Sequence, residues 1–238
     1  MMALAKPYKK MYRHGNDNVN LPFKEDRKTP IGMRFLNSYE ILKKDLEILF
    51  AYIEPCDDNM DTYSLRTFEL FLRACTEIEA NCKEILRQNN HPTDNINILR
   101  YSDLNGPMKL SEYRVKCPYI DYNDFLPFES FSNGSRDQRS PQWYRDYNSA
   151  KHDRGNSFNL ATLRNLIQSI GGVYVLLQAQ YGDFDQGPAL ALGIGNPIPR
   201  PFVINYKPTW TDEEKYQFDW NTLRVTSEPY ENHPIPII

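Results

Sequence analysis

Within residues 143–154, Arg145, Asn148 and His152 combine the side-chain types that move protons and hold anions. A guanidinium presents a planar fork of donors that matches a phosphate. An imidazole titrates near neutral pH, so it can give or take a proton. If the segment is helical, each residue turns by about 100°. Asn148 then lies at about 300° and His152 at about 340° relative to Arg145, on a single face. Trp143, Tyr147 and Ala150 fall on the opposite face. The arginine and the histidine are two turns apart, about 10 Å along the axis, with Asn148 between them. These residue types suit cleavage of RNA without a metal. The 2′-hydroxyl attacks the adjacent phosphate, and the protein needs only a base, an acid and charge stabilisation. In this reading Arg145 holds the phosphate and His152 acts as base or acid. Asp146 and Asn148 support them, and Lys151 and Arg154 add phosphate contacts.

Such a face requires a helix, and the surrounding sequence supplies one. Ser140 can cap it, Pro141 suits the first helical position, and Gly155 can end it, so a helix is expected over about 141–154. Three more helices are expected beside it. Phe35, Leu36, Tyr39, Leu42, Leu46, Leu49, Phe50 and Ile53 recur at the helical period, predicting a helix over 33–53. Leu65, Phe68, Leu72, Cys75, Ile78, Cys82 and Ile85 draw a second stripe over 62–89, capped by Asp61 or Thr62. Leu160 to Leu177 predicts a third over 157–181. Its Gly171-Gly172 pair would cost about 1 kcal/mol per residue relative to alanine, so close helix contact is expected to compensate. The expected fold is mainly α, a bundle of about four long helices. Residues 1–32 read as an extended arm. Residues 33–181 form the helical domain, with an irregular insertion at about 93–139. Residues 182–238 read as an irregular extension packed on that domain, in which 202–206 is a candidate strand. Seventeen prolines in 238 residues require such irregular stretches.

Composition narrows the remaining classes. The net charge is −3, which argues against coating long nucleic acid but allows a local basic patch to meet a short RNA loop. Cys56, Cys75, Cys82 and Cys117 contain no CxxC pair, so reduced structural thiols are expected rather than a zinc ribbon. His14, His91, His152 and His233 lack HExxH spacing, and no metal site or cofactor is expected. The acidic run Cys56-Asp57-Asp58-Asn59 lacks the glycine and closing glutamate of a calcium loop. Gly193-Ile194-Gly195 lacks the third glycine of a phosphate cradle, and no G-x-S-x-G elbow occurs. With neither a signal peptide nor a long apolar run, the expected setting is the cytoplasm, with no membrane contact.

An arginine, a following polar residue and a histidine after four to six intervening residues resemble the motif of the HEPN superfamily. Here the residues are Arg145, Asp146 and His152. The resemblance implies a helical bundle that forms homodimers. In catalytic members it implies a metal-independent endoribonuclease that leaves 2′,3′-cyclic phosphate ends. It also implies toxin–antitoxin or phage-defence roles, with RNA as substrate and an antitoxin as a protein partner. By match to the motif Arg145 and His152 are the catalytic pair and Asp146 the supporting polar position. A second reading stands beside it. Arg145 pairs with an acid on a neighbouring helix, Asn148 and His152 are hydrogen-bonded where helices meet, and the chain is a non-catalytic module for a protein partner or a nucleotide.

Overall fold

The computed structural model describes residues 6–13, 26–118, 124–182, 184, 201–216 and 230–236. The fold is mainly helical. Four longer helices carry it: α1 (Pro30–Phe50), α2 (Leu65–Gln88), α3 (Gln142–His152) and α4 (Leu163–Tyr181). Among the described residues no helix is long and apolar enough to cross a membrane.

Local chemistry sets most of the helix ends. The Thr29 hydroxyl accepts from the Gly32 N–H, and Pro30 occupies a first-turn position where its missing N–H costs nothing. α1 therefore starts earlier than the apolar periodicity suggests. It stops at Phe50, ahead of the turn at 51–52 and Pro55. α2 is capped by Ser64, whose hydroxyl accepts from the Thr67 N–H, rather than by Asp61 or Thr62. α4 begins at Leu163, six residues later than expected, because Thr162 accepts from the Asn165 N–H and caps it there. Residues 154–160 form two single turns instead, so Gly155 does not end α3 in a left-handed cap.

The helices alternate in direction. The Thr62 carbonyl accepts from the Leu163 N–H, and Gln180 Nε2 donates to Asn81 Oδ1 at 2.9 Å, so α2 and α4 run in parallel. Asp45 pairs with both Arg66 and Arg73, and Tyr39 stacks on Tyr174 at 5.6 Å, which sets α1 antiparallel to both. Tyr144 meets Glu79 while Tyr147 meets Phe71, so α3 is also antiparallel to α2. The result is an up-down-up-down bundle. Its centre is α4, in which every residue from Ile170 to Tyr181 is buried.

The glycine pair in α4 admits two close neighbours. A Cβ at Gly172 would sit 3.1 Å from Ile78 Cδ1 on α2, the expected helix contact. A Cβ at Gly171 would sit 2.7 Å from the Phe125 ring, which comes from the insertion and not from a helix. The insertion is thus part of the core. Tyr101, Leu104, Leu110, Tyr113, Val115 and Phe128 are all fully or nearly fully buried. Within it β1 (Arg114–Lys116) pairs antiparallel with β2 (Val203–Tyr206), so the candidate strand forms and joins the C-terminal segment to the bundle.

The chain before α1 is also bound down. Lys10 is buried and donates to the Tyr181 hydroxyl at 2.9 Å and to Asp26 at 3.2 Å. Arg13 lies between the Trp210 and Tyr216 rings, and the Tyr216 hydroxyl donates to the Met11 carbonyl. Residues 6–13, within the segment read as an extended arm, form a packed strap, and residues 201–216 pack on the same body through Phe202, Trp210 and Tyr216. Residues 212–214 form a turn. His14 and Gly193-Ile194-Gly195 lie outside the described residues.

Candidate functional site

α3 is held on the bundle by its aromatic side, as its amphipathic pattern requires. Trp143, Tyr144, Tyr147 and Ala150 are buried. The Trp143 indole donates to the Pro127 carbonyl at 2.8 Å, and the Tyr144 hydroxyl donates to Glu79 Oε1 at 2.8 Å. Rings run in contact from Phe131 through Phe128, Trp143, Tyr144 and Tyr147 to Phe71. Burial, and then the hydrogen bond and charge of Glu79, push the Tyr144 hydroxyl well above the usual tyrosine range, so it serves as a neutral donor. The N-cap position is Pro141, which offers no side-chain bond, and Ser140 lies one residue further out.

Arg145, Asn148 and His152 face away from this aromatic side. Arg145 and His152 are exposed, and Asn148 is half-buried. Each sits at a different level along the helix. The Arg145 guanidinium turns back toward the start of α3, donating to the Ser140 carbonyl and to Gln142 Oε1. His152 is the last helical residue and hydrogen-bonds to none of the described residues. The two groups share an outer face but occupy opposite ends, and Arg145 leans away from the histidine end. Helical side chains tilt toward the N-terminus, so this lean is the ordinary one.

Asp146 has a different position from its sequence neighbour. One carboxylate oxygen accepts from Gln142 Nε2 and the other from Asn165 Nδ2, both at 2.8 Å. Asn165 also donates to the Leu160 carbonyl, so Asp146 ties α3 to the start of α4. Lys151 donates to the Tyr147 hydroxyl at 3.0 Å, with its ammonium 5.0 Å from that ring. That hydrogen bond raises the Lys151 pKa, so the side chain stays charged. Arg154 lies over the Phe68 ring at 4.8 Å and near Phe158 at 5.7 Å. Arg145, Lys151 and Arg154 are each exposed.

A second cluster appears only in the folded chain. Asp103, with its side chain fully buried, accepts at Oδ2 from Arg100 at 3.0 Å and from Arg136 at 3.1 Å. Arg139 stands 3.8 Å from Oδ1, beyond hydrogen-bond distance, and Oδ1 has no hydrogen-bond partner among the described residues. Arg100 also reaches His91 Nδ1 at 3.3 Å, and His91 Nε2 lies 3.0 Å from the Ile235 carbonyl. That places the ring proton on Nε2 and explains His91 as a bridge to the C-terminal segment. Four residues spread over 100–139 converge here, and spacing alone offers only the two one-turn intervals, Arg100 to Asp103 and Arg136 to Arg139.

Cys75 and Cys82 are buried in α2, and none of the four cysteines forms a disulfide. Burial, reinforced by the charge of Glu79, pushes both thiols up, so neither is a nucleophile at neutral pH. Among the described residues no group of three or more potential ligands could hold a metal. No family model, curated protein or solved structure matches the chain.

Proposed function

We propose that the chain is an HEPN-like, metal-independent endoribonuclease acting through the outer face of α3. The observation that carries the reading is the division of that helix. An aromatic side anchors it rigidly, while Arg145 and an unengaged His152 stand exposed on the other side. In the reaction the 2′-oxygen bonds to phosphorus as the bond from phosphorus to the 5′-oxygen breaks. One imidazole takes the 2′-hydroxyl proton, and a protonated group returns one to the leaving oxygen. The product is a 2′,3′-cyclic phosphate.

The bonds that hold Arg145 back are not an obstacle. Both are local and exposed, and together they contribute less than about 0.5 kcal/mol. A phosphate offers stronger, charge-assisted bonds in exchange. The separation along the helix is a greater constraint. Two copies facing each other would bring Arg145 of one protomer toward His152 of the other, so the reading includes a homodimer. A role in toxin–antitoxin or phage defence, with an antitoxin as partner, belongs to the same proposal.

A second reading is favoured by Asp146 alone. Its bond to Asn165 on α4 is what a non-catalytic binding module would show at this position. The experiment incubates wild type, Arg145→Ala and His152→Ala with total RNA in the presence of a chelator and maps the product ends. The nuclease reading expects cyclic-phosphate ends from wild type and a loss of about a hundredfold or more in each variant. No cleavage by wild type, or equal cleavage by all three proteins, would leave the binding module.

A further inference from the structure

A carboxylate can be neutralised by one arginine, yet Asp103 gathers three. Three guanidinium charges against one carboxylate leave an excess of two positive charges. Asp137, the acid between Arg136 and Arg139 in sequence, does not absorb it, since it is turned to the Ser135 hydroxyl and its own backbone. The three arginines are not equally committed. Arg100 spends donors on Asp103 and His91, and Arg136 spends one on Asp103. Arg139 spends only Nε, on the Asn133 carbonyl, and its two terminal nitrogens donate to none of the described residues. Its side chain is 21% exposed, its terminal nitrogens are open to solvent, and Nη1 stands 3.8 Å from Asp103 Oδ1. Donors open to solvent in this way can take an anionic acceptor.

The acceptor has room. Arg139 lines a cavity of about 270 Å³ together with Ser102, Asp103, Asn105, Phe131 and Ser132. At about 30 Å³ per water, this holds roughly nine water molecules. It is ample for a phosphate and a ring beside it. The Asn105 amide is positioned by accepting from the Ser111 N–H through its oxygen, which leaves its NH₂ as a further donor.

We infer that this cavity binds the phosphate of a small phosphate monoester, such as a sugar or nucleoside monophosphate, with Arg139 as its bidentate anchor. Charge selects among anions. A monoester carries about −1.5 to −2 at neutral pH and draws more on the positive charge gathered around Asp103 than a diester or a carboxylate, which carries one. Replacing Arg139 by lysine is not conservative at such a site, because an ammonium lacks the planar fork. The site is lined by neither Arg145 nor His152 and does not depend on the nuclease reading.

Calorimetric titration of the full chain tests it, with inorganic phosphate, ribose 5-phosphate, a nucleoside 5′-monophosphate and dimethyl phosphate as probes. Phosphate and at least one monoester should bind saturably, and the diester at least roughly tenfold more weakly. Binding tighter for an ester than for phosphate assigns the cavity to the organic part. Equal binding assigns the site to the phosphate alone. Arg139→Gln and Arg139→Lys should each weaken binding by roughly tenfold or more, with Arg73→Gln unchanged. If Arg139→Gln does not fold, Arg139→Lys and the half-exposed Arg136→Gln decide. No saturable binding to folded wild type, equal affinity for phosphate and dimethyl phosphate, or undiminished binding by the folded variants would overturn the site.

Discussion

Adjacent residues on α3 carry different loads. Arg145 bonds only to its own end of the helix, whereas Asp146 holds Asn165 on α4. Asp146→Ala would leave the largely buried Asn165 amide with one acceptor fewer. The expected loss is about 1–2 kcal/mol of stability by urea denaturation. Arg145→Ala, by contrast, should change stability by less than about 0.5 kcal/mol, as exposed local pairs do. A stability loss for Arg145→Ala as large as that for Asp146→Ala would mean the arginine is structural, and the nuclease reading would lose its phosphate ligand. His152 belongs with Arg145 in this respect, since it bonds to nothing described that its removal would strand.

Among the helices, α4 is the member whose fit is least adjustable. Its Gly171 faces the Phe125 ring, and an added methyl would stand 2.7 Å from it. Phe125 is itself paired through its backbone to Val115, so the ring cannot retreat without disturbing the strand that joins the C-terminal segment. Gly171→Ala gains about 1 kcal/mol of helix propensity but overpacks the core, which costs typically about 1–3 kcal/mol. The net expectation is a lower melting temperature. Gly172→Ala, at 3.1 Å from the end of the flexible Ile78 side chain, should be the milder of the two. A rise in melting temperature for Gly171→Ala would show that Phe125 is not seated where it lies here.

Across the folded body, carboxylates with lowered pKa hold a helix end at Glu84 and join segments distant in sequence at Glu214. Glu84, beside the strap at Lys10, is pushed up by burial, but bonds from Arg87 and Gln88 and the Arg87 charge outweigh this and lower its pKa. Glu214 is likewise raised by burial and lowered further by the Thr211 N–H and Lys109, which ties residues 209–214 to the insertion. A carboxyl whose folded pKa lies below its unfolded value stabilises the fold above that unfolded value, about 4.3 for glutamate. The contribution disappears as pH falls through the folded pKa. Stability should therefore decline on acidification below about pH 4.3, and Glu84→Gln should make that decline shallower. Equal acid slopes for the variant and wild type, in denaturation series across that range, would refute the assignment.

Periodicity and capping act over a few residues, and they account for the part of this fold that could be read from the chain directly. The stripes of α1 and α2, the amphipathic α3 and the strand at 203–206 are legible because each depends on residues a few positions apart. The exposure of Arg145 and His152 opposite Trp143 and Tyr147 follows from the same local rule. Helix ends were less legible, because Ser64 and Thr162 compete with equally plausible caps such as Asp61, and only the packed chain selects one. Long-range packing was needed to establish that Phe125 fills the gap at Gly171, that Asp146 spans two helices, and that Arg100, Arg136 and Arg139 meet on Asp103. Those contacts join segments separated by many residues or by irregular turns, where no repeat relates sequence distance to position in space. Their energies come from burial and charge neutralisation, which exist only once the chain has closed.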